Sequence, residues 1–119
     1  YGQTMINEAF KASKILVEKN IDLEIINISS LNYFDEKWFK EKIKRFDYIY
    51  FLDDHYFSGG MGDLLIAFLS ENQFLKGKTI KKFGFKDFPA CGTYEEVLAY
   101  HKLDYNNLAK QIIEVIKND

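Results

Sequence analysis

The spacing of apolar residues changes period several times along the chain, and this alternation constrains the fold more than any single motif. Met5, Ile6, Ala9, Phe10, Ala12, Leu16 and Val17 recur at three- and four-residue steps with polar residues between them. That is the spacing of one helix face, and Asn20 closes it. Leu23, Ile25, Ile26 and Ile28 follow as a short run with few polar breaks, which predicts a strand covered on both faces. Asp35 is placed to cap a helix, because its carboxylate can accept from free backbone N–H groups; Trp38, Phe39, Ile43 and Phe46 would be the buried stripe. Tyr48 to Leu52 predicts the next strand, and Leu64, Leu65, Ala67, Phe68 and Leu69 a helix ending near Asn72. Thr79 to Phe85 reads as a further strand, with lysines that suit a position nearer an edge. Thr93 and Glu96 have the spacing of a capping box ahead of a short helix through Val97, Leu98 and Tyr100. Asp104 would cap a last helix carrying Leu108, Ile112, Val115 and Ile116. Strand and helix alternating in this way predict an α/β fold, a parallel sheet with helices on both faces joined by right-handed crossovers.

Composition narrows the setting. A chain of 119 residues suits one domain with a real core, and 47% apolar residues with 17% aromatics supply the side chains to fill it. A net charge of -2 produces no field that would gather polyanions, which argues against nucleic acid as a partner. Cys91 is the only cysteine, so no disulfide forms within the chain, as expected in a reducing compartment. No apolar stretch approaches the roughly 20 residues of a membrane span, and no basic segment precedes an apolar signal core. A soluble cytoplasmic protein is the expectation. There is no repeat or low-complexity tract, and the single proline, Pro89, falls in a loop.

In parallel sheets ligands collect at the carboxyl ends of the strands. The segment "DDHYFSGGMGDLL", residues 53–65, falls there. Read as a phosphate cradle, Gly59, Gly60 and Gly62 would let N–H groups at a helix start approach an anion. The pattern is neither GxGxxG nor GxxxxGK[ST], however, and Asp53, Asp54 and Asp63 flank it with no basic residue nearby in sequence. Read as a metal site, Asp53 and His55 would share one strand face and Asp54 the other. Two ligands do not make a site, His101 is the only other histidine, and no HxxxH or CxxC spacing occurs. A structural reading fits best: the acids finish the strand and the glycines permit a tight turn with close helix packing. Cys91 has no histidine near it in sequence and reads as a bystander thiol.

The order of these pieces resembles a family. An apolar strand ending in two acids and a histidine, then Gly59, Gly60 and Gly62 as GGxG, then an apolar helix, is similar to the C-terminal domain of transketolase-like, thiamine-diphosphate-dependent enzymes. These include transketolase, deoxyxylulose-phosphate synthase and the beta subunits of 2-oxoacid dehydrogenases. Asp53 and Asp54 stand where the family strand has two glutamates. Upstream, Ile25, Ile26 and Asn27 match a strand that ends in aspartate, and Asp35 matches the aspartate of a Lys-Pro-Leu-Asp turn whose first three residues are here Asn32, Tyr33 and Phe34. Downstream, Phe83 to Phe88, "FGFKDF", stands at a strand followed by Gly-x-x-Asp-x-Phe, and Gly92 matches a later glycine. Lys102, Leu103 and Asp104 stand at the Gly-Leu-Asp before the last helix, with lysine for glycine.

The resemblance implies a three-layer α/β/α sandwich with a mostly parallel sheet, a single domain over residues 1–119. It implies a protein that supports domain packing and dimer assembly and is not catalytic in isolation, in an enzyme that uses thiamine diphosphate and a divalent cation. The cofactor would lie between pyrimidine-binding and diphosphate-binding domains, in the same chain or another, and this domain would bind none of it. Gly62-Asp63-Leu64 lacks the third residue of the family's Gly-Asp-Gly diphosphate motif. The turn residues Asp53, Asp54, His55, Gly59, Gly60 and Gly62 are then a signature and a candidate interface, with His55 the side chain best placed to face a neighbouring domain. Tyr1 and Gly2 would end a strand lying between the strands at 23–28 and 48–53, so one or more strands upstream of Tyr1 are expected to complete the sheet. The alternative is an independent flavodoxin-like module that binds a small anion or regulator in the strand-end crevice. A third reading, a docking surface for a partner protein, draws on Tyr56 and Phe57.

Overall fold

The computed structural model describes residues 3–30, 33, 35–71 and 73–119. Helices α1 (Gln3–Val17) and α2 (Glu36–Ile43) precede strand β1 (Tyr48–Tyr56), which is followed by α3 (Met61–Glu71), β2 (Thr79–Phe85), α4 (Tyr94–Tyr100) and α5 (Tyr105–Lys117). The expected ends of the upstream strand at Tyr1 and Gly2, the turn positions Asn32 and Phe34, and the helix end at Asn72 lie outside the described residues.

The local stop and start signals act as their chemistry dictates. Asn20 takes a positive φ of 60° after α1. The Asp35 carboxylate accepts from Trp38 N at 2.9 Å, starting α2. Thr93 and Glu96 form both halves of a capping box, and Asp104 accepts from Asn106 N and Asn107 N. The expected apolar stripes run wider than the buried faces: Phe39 and Ile43 are buried in α2, whereas Trp38 is 45% exposed.

β1 and β2 pair in parallel, Tyr48 with Thr79 through Leu52 with Phe83, and the register shifts before Tyr56 meets Phe85. Two apolar clusters lie on opposite faces of β1. Tyr50 and Leu52 pack against one, built from Met5, Leu16, Leu103, Leu108 and Ile112 of α1, α5 and the loop between α4 and α5. Ile49 and Phe51 belong to the other, with Phe39 and Ile43 of α2 and Leu65 and Leu69 of α3. This is a three-layer α/β/α arrangement in which strand side chains point alternately into the two cores.

The segment at 23–28 departs from expectation. Residues 21–30 have no regular secondary structure and do not pair with β1, so the expected strand is absent there. Its side chains still divide between the cores, Ile21 and Leu23 packing on one cluster and Ile26 and Ile28 on the other. The sequence pattern reported this two-sided burial correctly; a strand additionally requires a neighbour for its hydrogen bonds. Between this segment and β1 lies a cleft of about 390 Å³.

Candidate functional site

The end of β1 and the start of α3 are held by their own carboxylates. Asp53, 6% exposed, accepts from Gly62 N through Oδ2 at 3.1 Å. Asp63 accepts from Gly59 N through its own Oδ2 at 2.7 Å, and its Oδ1 is paired with Lys82 of β2. Lys82 also donates to Phe57 O at 2.7 Å and lies over the Phe57 ring at 4.3 Å. The lysine therefore staples the turn to the neighbouring strand, and with the Gly59 N–H it holds the Asp63 carboxyl below its ordinary range.

The glycines have distinct reasons to be there. Gly59 has φ +84°, in the left-handed region, and a Cβ on Gly60 would stand 2.6 Å from Asp53 Oδ2. Gly62 contributes the N–H that Asp53 holds.

Three expectations change at this turn. The absence of a basic residue near the acids holds only along the sequence, because β2 brings Lys82 to Asp63. Asp53 and His55, expected to share a face, differ in exposure: Asp53 is buried while Asp54 and His55 are both exposed. The pairing register shifts between Leu52 and Tyr56, the stretch of β1 that holds Asp53, Asp54 and His55. Of the two aromatics expected to be exposed, Tyr56 is, with His55 edge-on to it at 5.7 Å, but Phe57 is half-buried beneath Lys82 and Lys86.

Lys82 is the residue that reading the sequence missed. Its signal was a charged residue in mid-strand flanked by Ile80 and Gly84 at two-residue spacing, a position that calls for an acidic partner.

Elsewhere, His101 Nε2 accepts from Ala90 N at 3.2 Å, and its ring meets Phe85 edge-on at 4.7 Å. Distant in sequence, it thus reaches the loop of exposed Cys91, but its acceptor nitrogen is occupied by the backbone.

The donor set does not suit a diphosphate or its metal. The Gly59 and Gly62 N–H groups at the α3 entrance already serve Asp63 and Asp53. An incoming anion would have to displace two carboxylates and would meet their charge. Among the described residues no three of His, Cys, Asp and Glu come together as metal ligands, and no helix is long and apolar enough to cross a membrane.

The profile of the family "Transketolase, C-terminal domain" matches residues 1–108. The chain belongs to the transketolase C-terminal domain family. Among its relatives is a Methanocaldococcus jannaschii protein named for a transketolase C-terminal section, 30% identical over 96% of this chain and 35% of that protein. A 1-deoxy-D-xylulose-5-phosphate synthase of Clostridium beijerinckii is 33% identical over 93% of this chain and 18% of its own length. One subunit of an apulose-4-phosphate transketolase from Phocaeicola vulgatus is 26% identical over 98% of this chain and 36% of its own. The chain thus spans about a third or less of each relative's length. As a transketolase C-terminal domain, it has Asp35 capping α2 and Lys102 at φ 58° ending the turn after α4.

Proposed function

We propose that this domain belongs to a cytoplasmic, transketolase-like enzyme dependent on thiamine diphosphate and a divalent cation, and that it supports packing and dimer assembly while chemistry proceeds on other domains. The observation that carries this reading is the self-satisfied turn. Its helix-entrance N–H groups are used internally by Asp53 and Asp63, leaving Asp54, His55 and Tyr56 outward at the strand end. Such a surface fits a neighbouring pyrimidine-binding or diphosphate-binding domain, with His55 donating or accepting across the contact. The self-satisfied turn speaks against the flavodoxin-like alternative, which needs those N–H groups free for an anion.

The test is a pair of measurements on the full-length enzyme and on this chain. A double substitution, His55→Ala with Tyr56→Ala, is expected to weaken dimer association in sedimentation. The affinity of the remaining dimer for thiamine diphosphate should be unchanged. Saturable binding of thiamine diphosphate with Mg²⁺ by the 119-residue chain alone, measured by calorimetry, would sink the proposal.

A further inference from the structure

The carboxyl end of the sheet gathers aromatic rings from separate segments. Tyr56 ends β1 and pairs with Phe85 of β2, and the Phe85 ring meets His101 edge-on at 4.7 Å just beyond α4. His101 also accepts from Ala90 N at 3.2 Å, so the loop leaving β2 folds back toward the same place. Phe88, between these two anchors, is 90% exposed, while Tyr56 is 46% exposed and Tyr94, at the start of α4, 41%. A single apolar residue at a surface is ordinary, but several large rings at one end of a sheet mark a surface that something covers.

Charge at this end is unbalanced as well. Burial, and then the charges of Glu8, Asp54 and Glu95, raise the Tyr94 hydroxyl above its ordinary 10.0, which puts these carboxylates within electrostatic reach of that ring. Glu8 is paired with Lys11. Asp54 and Glu95 are exposed, and neither forms an ion pair among the described residues. The lysines of β2 and the loop after it are engaged elsewhere: Lys82 pairs with Asp63 and donates to Phe57 O, and Lys86 lies 5.0 Å from the centre of the Phe57 ring. This end therefore presents unpaired carboxylates beside exposed aromatic faces, with its own lysines committed to Asp63 and Phe57.

We propose that the face formed by Asp54, Tyr56, Phe88, Tyr94 and Glu95 docks a guanidinium-bearing surface of the neighbouring domain, arginine side chains set among apolar ones. This partner chemistry rests on the proposed role in domain packing and refines it. A guanidinium group suits both halves of the face: its N–H fork pairs with a carboxylate, and its plane stacks on an aromatic ring. It is also more weakly hydrated than an ammonium group, so covering it with rings costs less. An anionic partner, a phosphate included, would meet the charges of Asp54 and Glu95 directly. A wholly apolar partner would bury both carboxylates without a counter-charge, which is the costliest arrangement of all. Exposed aromatics beside opposite charge are the composition expected of a contact whose register is fixed by electrostatics.

The experiment footprints the full-length enzyme in solution. Carbodiimide-driven labelling of carboxyl groups with glycine ethyl ester, read by mass spectrometry, should modify Asp54 and Glu95 at least about tenfold more slowly than in the urea-unfolded enzyme, although both are exposed in this domain. The charge-reversing pair Asp54→Lys and Glu95→Lys should raise hydroxyl-radical oxidation of Tyr56 and Phe88 roughly tenfold, and the milder pair Asp54→Asn and Glu95→Gln should raise it less. Labelling of the two carboxylates as fast as in urea would overturn the proposal. The dimer-association test with His55→Ala and Tyr56→Ala is a separate measurement, so the role in packing can stand when the arginine contact falls. Slow labelling with a zero-length carbodiimide cross-link from Asp54 or Glu95 to a lysine would assign an ammonium partner and overturn the guanidinium. Equal protection of Tyr56 and Phe88 in the parent enzyme and both variants would show docking indifferent to charge, and would overturn it as well.

Discussion

Asp53 is costly to bury as an anion, and the geometry shows what it gains. Its Oδ2 holds the Gly62 N–H at the α3 entrance, while its Oδ1 is buried with no hydrogen-bond partner among the described residues. Gly60 leaves room for that carboxylate, and an added methyl group would meet Oδ2 at 2.6 Å. Gly60→Ala is therefore expected to cost about 1–3 kcal/mol by forcing the acceptor off Gly62. In an Asp53→Ala background the same change should cost much less, since the collision and the bond disappear together. Urea unfolding of the four proteins of this cycle measures the difference, and strict additivity would contradict the account. Glu8 makes a comparable case at longer range. It is 5% exposed, accepts from Lys11 Nζ at 3.1 Å, and accepts from Tyr105 N at 2.8 Å, serving the first turn of α5 from within α1. Glu8→Ala should lower stability by about 2 kcal/mol and Glu8→Gln by less, because the amide oxygen can still accept. Equal losses for the two substitutions would show that charge, and not the acceptor, matters.

Helix caps and strand β2 were legible in the sequence, and the reason is distance along the chain. Asp35, Thr93 with Glu96, and Asp104 act on N–H groups two or three residues ahead, so spacing alone reveals them. The pairs Asp63 with Lys82 and Glu8 with Tyr105 are 19 and 97 residues apart, and no local pattern encodes them. The differing exposure of Asp53 and His55 falls within a register shift that strand alternation does not foresee. Lys102 shows a local departure that can be put to use. It ends the turn after α4 with φ 58°, a conformation that costs a side-chain-bearing residue about 1–2 kcal/mol. Glycine adopts this conformation without that cost, and Lys102→Gly should gain somewhat less than the strain, about 1 kcal/mol, after its larger unfolded-state entropy is counted. The Lys102 carbonyl would keep its bond from Gln111 Nε2, 2.9 Å long, so the last helix need not move. Thermal unfolding should shift upward; an unchanged or lower midpoint would mean that the lysine side chain contributes contacts outweighing the strain.

The molecule as a whole joins two cores through one narrow sheet, and its titrating groups set the pH range in which that arrangement holds. Glu24 is pulled below its ordinary pKa of 4.5 chiefly by its hydrogen bond from Lys42, with Arg45 adding charge. Asp63 is lowered from 3.8 by Lys82 and the Gly59 N–H, and Glu96 from 4.5 by the backbone and hydroxyl of Thr93. A carboxylate with a depressed folded pKa contributes fully above its unfolded value and loses that contribution as pH falls through the folded value. Stability should therefore decline once pH drops below about 4.5, where these three groups begin to protonate in the unfolded chain. Tyr50 leads the alkaline limb, to which the raised hydroxyls of Tyr48 and Tyr94 also add. Burial first, then the neighbouring Tyr48, raises the Tyr50 pKa from 10.0 to about 12, and its hydroxyl is buried with no partner among the described residues. For a group raised in this way the contribution is intact below the unfolded value and is lost as pH climbs from 10.0 to about 12. Tyr50→Phe removes both the titration and the unsatisfied hydroxyl, leaving the stacking on Phe83, whose ring lies 6.0 Å away. Denaturant midpoints measured across pH should accordingly show a plateau near neutrality with two falling limbs. In the Tyr50→Phe protein the limb above about pH 10 should flatten while the acid limb stays where it was. An alkaline limb of the same slope in both proteins would assign the loss to other groups and remove Tyr50 from the account.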